Sequence, residues 1–152
     1  MRIERILVPI GFSESSMKAL DEAVEFNRPY GAELILMFAV ERGNYESPLL
    51  VPDSGGLLEQ QARAAEERLE EICGKLAADG IKCRTLVEFG APYHAIVDAA
   101  KKVAANLIVM STHGRTGLAH VLFGSVAERV VQYAGCPILL LRSSDKAAKS
   151  TN

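Results

Sequence analysis

Leu107-Ile108-Val109-Met110 runs directly into Ser111-Thr112-His113-Gly114-Arg115-Thr116-Gly117 and, after six intervening residues, into Gly124-Ser125-Val126-Ala127-Glu128. Four consecutive apolar residues without alternation read as a strand covered on both faces. Gly114 and Gly117 remove side chains just beyond it, and Gly124-Ser125 opens a helix that stops before Gly135-Cys136-Pro137. A buried strand followed by a loop and a helix is one repeat of a parallel α/β sheet.

The same grammar recurs outward along the chain. Ile6-Leu7-Val8, Leu34 to Val40 and Ile138-Leu139-Leu140-Leu141 are further continuous apolar runs. Ile81 to Glu88 differs, because Lys82, Arg84 and Glu88 interleave with Ile81, Cys83 and Val87. Charges at alternate positions mark an edge strand. Between the runs lie helical segments. Ser13 caps a first helix with Met17, Leu20, Ala23 and Val24 on its apolar face, ending near Gly31. Leu58 to Ala78 places Leu58, Ala62, Ala65, Leu69, Ile72 and Leu76 at steps of four and three. Arg63–Glu67 and Glu71–Lys75 on its other face make it an amphipathic surface helix. Pro92 opens a third helix carrying Ile96, Ala99, Ala100 and Val103. Strict β-α alternation with a charged third strand predicts an α/β fold, a single doubly wound five-stranded parallel sheet of order 3-2-1-4-5 with helices on both faces. Ligands of such sheets bind beyond the carboxyl ends of the strands where the order reverses, here Pro9 to Ser13 and Ser111 to Ser125. Glu41 to Gly56, with Pro48, Pro52, Gly55 and Gly56, is long for a connection and reads as a lid or a disordered insertion.

With 152 residues, the chain is expected to hold one domain over residues 1–143 and a polar tail over 144–152. A domain of this size buries about 70% of its unfolded surface and needs no staples. Seventeen Lys and Arg against nineteen Asp and Glu leave a net charge of −2, which gives no electrostatic reason to expect nucleic acid or an anionic membrane as partner. No apolar run approaches the roughly 18 residues of a membrane span. Met1-Arg2-Ile3-Glu4-Arg5 leads into an apolar run too short for a secretory signal, so a cytoplasmic location is expected. Cys73, Cys83 and Cys136 are odd in number and form no CxxC pair, which fits a reducing compartment and neither a disulfide framework nor a zinc site.

Chemistry concentrates on the stretch quoted first. Unpaired amides at a helix start, with the helix dipole behind them, form an anion seat. The amides of Gly124, Ser125, Val126 and Ala127 are the candidate donors to phosphate oxygens, and the Ser125 hydroxyl adds a donor or a metal contact. The pattern is neither GxGxxG nor GxxxxGK[ST], and no phosphate-binding lysine is present. The competing reading is local: Ser125-Val126-Ala127-Glu128 matches a capping box, and the glycines need only make turns.

Ile6-Leu7-Val8-Pro9 followed by Phe12-Ser13, the Ser111-to-Ser125 stretch, and Cys136-Pro137-Ile138-Leu139 together resemble the universal stress protein family over roughly Ile3 to Arg142. The resemblance implies a homodimer or larger assembly, often paired through the last strand. It also implies binding of ATP or another adenine nucleotide through the pattern Gly-x2-Gly-x9-Gly-[Ser/Thr]; Mg2+ would be the companion ion of such a phosphate group. Gly114, nine intervening residues and Gly124-Ser125 match that pattern, and His113 and Arg115 lie inside it. Ala39 and Val40 would present backbone groups to the adenine edge, and Pro9 and Ile10 would line its pocket; ordinary core is the alternative for all four. The chain departs from the pattern twice. Ser111 replaces the first glycine, and Gly11 stands where nucleotide-binding members carry an aspartate for the ribose. Losing that acceptor costs about 0.5–1.5 kcal/mol if neutral pairing is the guide and about 3 if charged, or about two-fold to 150-fold in affinity.

The remaining polar residues point to no chemistry of their own. Arg115 either pairs with a terminal phosphate or is a solvated loop arginine. His113 and His120 have no carboxylate or cysteine set at metal-ligand spacing, so no metal site is expected. His94 reads as surface, and Glu66, Glu67, Glu70 and Glu71 as a solvated helix face. No Ser-His-Asp or Cys-His arrangement has local support, and no base, lysine or arginine finger is placed for efficient phosphoryl transfer. Three readings compete: a nucleotide-binding regulatory module, a non-nucleotide relative acting through dimerisation and protein contacts, and an enzyme limited to slow ATP hydrolysis or autophosphorylation.

Overall fold

The computed structural model describes residues 1–42, 56–112 and 123–142. Most of Glu41 to Gly56, the loop residues His113, Gly114 and Arg115, and the tail expected over 144–152 lie outside the described residues. The elements run β1 (Arg5–Pro9), α1 (Glu14–Asn27), β2 (Glu33–Val40), α2 (Leu57–Ala78), β3 (Cys83–Phe89), α3 (Pro92–Lys102), β4 (Leu107–Ser111), α4 (Ser125–Tyr133) and β5 (Ile138–Leu141). The strands form one parallel sheet of order β3-β2-β1-β4-β5, the expected doubly wound arrangement.

Each apolar run splits its side chains between two cores, which is why it is continuous rather than alternating. Ile6, Val8, Leu34, Leu36, Phe38, Val40 and Val109 pack with Leu20 and Ala23 of α1 and with Ala65 and Leu69 of α2. Leu7, Ile35, Met37, Ile108 and Met110 point the other way, onto Ile96, Ala99 and Ala100 of α3 and Ala127 and Val130 of α4. The charged strand lies at the edge, and its charges are partnered: Arg84 pairs with Glu33 at 3.2 Å and Glu88 with Lys102 at 2.8 Å. On α2, Arg63 turns back to Glu59 at 3.9 Å.

Asn27 ends α1 ahead of Gly31. Its buried side-chain amide donates to the Ala32 carbonyl and its Oδ1 accepts the Ala32 amide, both at 2.8 Å. Those two bonds replace helical ones and aim the chain into β2, while Gly31 takes a positive φ of 62° that favours glycine.

One expectation is corrected. Cys73 of α2 and Cys83 of β3 are joined as a disulfide with their Cα atoms 5.3 Å apart, and Cys136 is the free thiol. The odd count hid this pair, because Cys73 and Cys83 meet only after α2 folds back over β3. No helix among the described residues is long and apolar enough to cross a membrane.

Candidate functional site

β1 and β4 are neighbours that pair as Ile6↔Leu107 and Leu7↔Ile108. Beyond their carboxyl ends the chain departs to opposite faces, into α1 after β1 and into α4 after β4. The crevice that opens there is the switch point of the sheet.

On the β1 side, Ile10 N–H donates to the Met37 carbonyl at 2.7 Å, and the strand pairing stops. Gly11 N–H then donates to Ser16 Oγ at 3.2 Å, while Ser16 Oγ donates to the Ser13 carbonyl at 3.0 Å. Ser13 is the N-cap of α1, as expected, and its Oγ accepts the Ser16 amide at 3.2 Å. The start of α1 is therefore closed by its own serines. Phe12, between Gly11 and Ser13, holds φ at 60°, a left-handed conformation that costs a non-glycine residue about 1–3 kcal/mol. Its ring is kept there by Phe38, with centroids 5.4 Å apart, and by the Arg68 guanidinium 3.9 Å above it.

On the β4 side, Thr112 is 3% exposed; its N–H donates to the Leu141 carbonyl at 3.0 Å and its carbonyl accepts Gly124 N–H at 2.7 Å. That bond ties the end of β4 to the start of α4. The Gly124 carbonyl accepts the Glu128 amide at 3.0 Å, which makes Gly124 the N-cap of α4 in an extended conformation (φ −68°, ψ 163°). As a glycine, this N-cap offers α4 no side-chain cap. Ser125 is the first helical residue rather than the cap, so the capping-box reading of Ser125-Val126-Ala127-Glu128 gives way. Gly124 N–H fixes the helix start one residue earlier.

Of the four amides expected to face an anion, that of Gly124 is engaged by Thr112. Those of Ser125, Val126 and Ala127 occupy the first turn of α4, where no helical carbonyl precedes them. Ser125 is exposed, Val126 half-buried and Ala127 buried. In β2, Ala39 follows Met37 by two residues, so its N–H and C=O point toward β1, one step past the last rung. Val40 faces the other way, and its carbonyl accepts Gly90 N–H at 3.0 Å. The side chains of Val40 and Ile10 belong to the core, at 0% and 2% exposure. Pro9, Gly11 and Ser111 are half-buried around the crevice. Ser16, Phe12 and Arg68 join the β1 side of the site without a sequence pattern that announces them. Ser16 sits three residues after a cap where a glutamate is the familiar signal, and the Arg68 contact crosses from α2 to the β1–α1 turn. Among the described residues no cluster of His, Cys, Asp or Glu is arranged to hold a metal ion.

The model of the universal stress protein family matches residues 2–142. The chain belongs to that family. It is 32% identical over 150 residues to Universal stress protein MJ0531 of Methanocaldococcus jannaschii, covering 94% of this chain and 84% of that one. Universal stress protein UspA from Lactobacillus plantarum shares the fold at a TM-score of 0.82 and 29% identity, over 93% of this chain and 99% of its own. A universal stress protein solved in complex with cAMP superimposes at a TM-score of 0.65 over 95% of this chain and all of its own (100%). At 22% identity it speaks for the fold alone.

Proposed function

We propose that this universal stress protein is a regulatory module in the response to stress that binds ATP or a related adenine nucleotide, with Mg2+, at the switch point between β1 and β4. What supports this reading is the start of α4, whose N-cap is a glycine with no side-chain cap and whose first-turn amides, those of Ser125, Val126 and Ala127, have no preceding helical carbonyl. Phosphate oxygens would take the amides of Ser125, Val126 and Ala127, with Ser125 Oγ as a further donor or a ligand of the ion. The backbone of Ala39 would meet the adenine edge, with Pro9 beside it. His113, Gly114 and Arg115, which fall within the family's pattern, belong to the same proposal. Bound nucleotide would bias the Glu41–Gly56 stretch or the surface on which two copies pair.

Two features lower the affinity expected of this site. Gly11 offers the ribose no carboxylate, and its amide is engaged by Ser16. Ser111 adds a hydroxymethyl group where the backbone would approach the ligand. These same residues favour a second reading, a member that acts without nucleotide through a homodimer formed along β5. The position of β5 at the end of the strand order and the exposed Val131 and Tyr133 of the adjoining α4 are consistent with either reading.

Mass spectrometry of small molecules released on denaturing freshly purified protein tests the proposal. An adenine nucleotide near one per chain is the expected result. If none is released, and Gly11→Asp with Ser111→Gly then creates binding that the native chain lacks, the second reading replaces the first.

A further inference from the structure

We propose that Cys73 and Cys83 are a reversible thiol–disulfide couple, a modification site for low-molecular-weight disulfides of the glutathione class, that fastens α2 to the β3 edge of the sheet. The two residues are held at bonding distance by the fold itself. Cys83 begins β3 opposite Leu34, and Cys73 follows the fully buried Leu69 by one helical turn. Their Cα separation of 5.3 Å falls in the range a disulfide spans without backbone movement. Both side chains join the same apolar cluster as Leu69 and Leu34, so the packing that brings them together does not depend on the bond. A sheet with two full cores has no need of a staple to fold, which lets the bond open and close on an intact domain.

The exposures assign an order to the chemistry. Cys83 is half-buried and reachable, whereas Cys73 is 8% exposed. The Cys83 thiolate attacks one sulfur of the incoming disulfide, forming a mixed disulfide and releasing one thiolate. Cys73 then gives up its proton and attacks the Cys83 sulfur, expelling the second thiolate. One small disulfide is reduced to two thiols and the protein loses two hydrogens; excess thiol reverses both steps. Cys136 does not compete: it precedes β5, away from the pair in the fold, and burial pushes its thiol pKa up, which lowers its thiolate fraction.

The bridge joins the two ends of the α2–β3 turn, where Ile81 N–H returns to the Leu76 carbonyl at 3.0 Å. Arg68, the arginine stacked on Phe12, lies on α2 five residues before Cys73.

The test equilibrates the reduced, full-length protein in buffers of graded oxidised and reduced glutathione, quenches with acid, alkylates and maps the peptides by mass spectrometry. The expected result is a single transition from dithiol to intramolecular Cys73–Cys83 bridge, with Cys136 alkylated throughout. Cys73→Ser should instead accumulate glutathione on Cys83, and Cys83→Ser should take up several-fold less on Cys73. The proposal is overturned if the bridge is absent even in fully oxidised glutathione, or if it persists in reduced glutathione. Stable glutathione on native Cys83, or bridges between chains, would overturn it equally. Circular dichroism of each variant separates a loss of fold from a loss of exchange.

Discussion

The Gly124 amide donates to the Thr112 carbonyl at 2.7 Å, so the residue that starts α4 is tied to the one that leaves β4. This bond holds the helix start at the mouth of the sheet. Gly124→Pro removes the donor while its φ of −68° suits proline. Leaving the buried Thr112 carbonyl without that partner should cost about 1–3 kcal/mol in urea unfolding. Gly124→Ala keeps the amide and an allowed conformation and should stay within about 0.5–1 kcal/mol of the native protein. Equal losses in the two variants would show that the bond carries no stability.

Asn27 makes a comparable clamp at the other end of the sheet. Asn27→Ala strips partners from both polar groups of Ala32, which is 3% exposed. A loss of about 2–4 kcal/mol is expected, two unpaired buried groups each costing about 1–3. Asn27→Asp keeps an acceptor for the Ala32 amide but sets a carboxylate against the Ala32 carbonyl, so it should not restore stability. Denaturant titration of both variants checks this.

What the sequence disclosed and what it withheld follow one physical divide. The run Leu107 to Met110 and the charge alternation in Ile81 to Glu88 are local patterns, and each reports which faces of a strand are covered. They were sufficient to place every strand and the switch point. Ser13 was legible as a cap for the same reason. The Arg68–Phe12 stack, the Cys73–Cys83 bond and the Gly124–Thr112 bond all join segments that meet only in the folded sheet. No spacing in the chain encodes them. The candidate site was legible as a place, whereas the commitment of the Gly124 amide and of the Val40 carbonyl was not.

Reducing the disulfide should destabilise the domain measurably. Its cysteines are 10 residues apart in sequence, and a loop of that length is worth about 2–3 kcal/mol by the chain-entropy account. For a domain of this size that corresponds to roughly 4–12 °C in Tm. Scanning calorimetry with and without a phosphine reductant measures it, and a Cys73→Ser/Cys83→Ser variant should match the reduced protein and ignore the reductant.

Cys136, the half-buried free thiol, carries a pH dependence of its own. Burial raises its pKa in the folded state. The unfolded chain therefore loses this proton first as pH rises. The contribution is complete below the unfolded thiol's pKa and declines as pH climbs through the folded value. Iodoacetamide should react with Cys136 in the folded protein with a pH midpoint above that of the unfolded chain. A midpoint at or below the ordinary thiol value would contradict the burial.

The most direct test of the nucleotide seat is calorimetric titration of Mg-ATP into protein stripped of carried-over ligand, beside Gly124→Val. Because Gly124 already holds an extended conformation open to any side chain, valine should leave the fold intact and crowd only the ligand. The account predicts saturable binding near one nucleotide per chain, weakened at least about ten-fold in the variant, a difference of about 1.4 kcal/mol. No heat at millimolar nucleotide, or equal affinity in the two folded proteins, would contradict it.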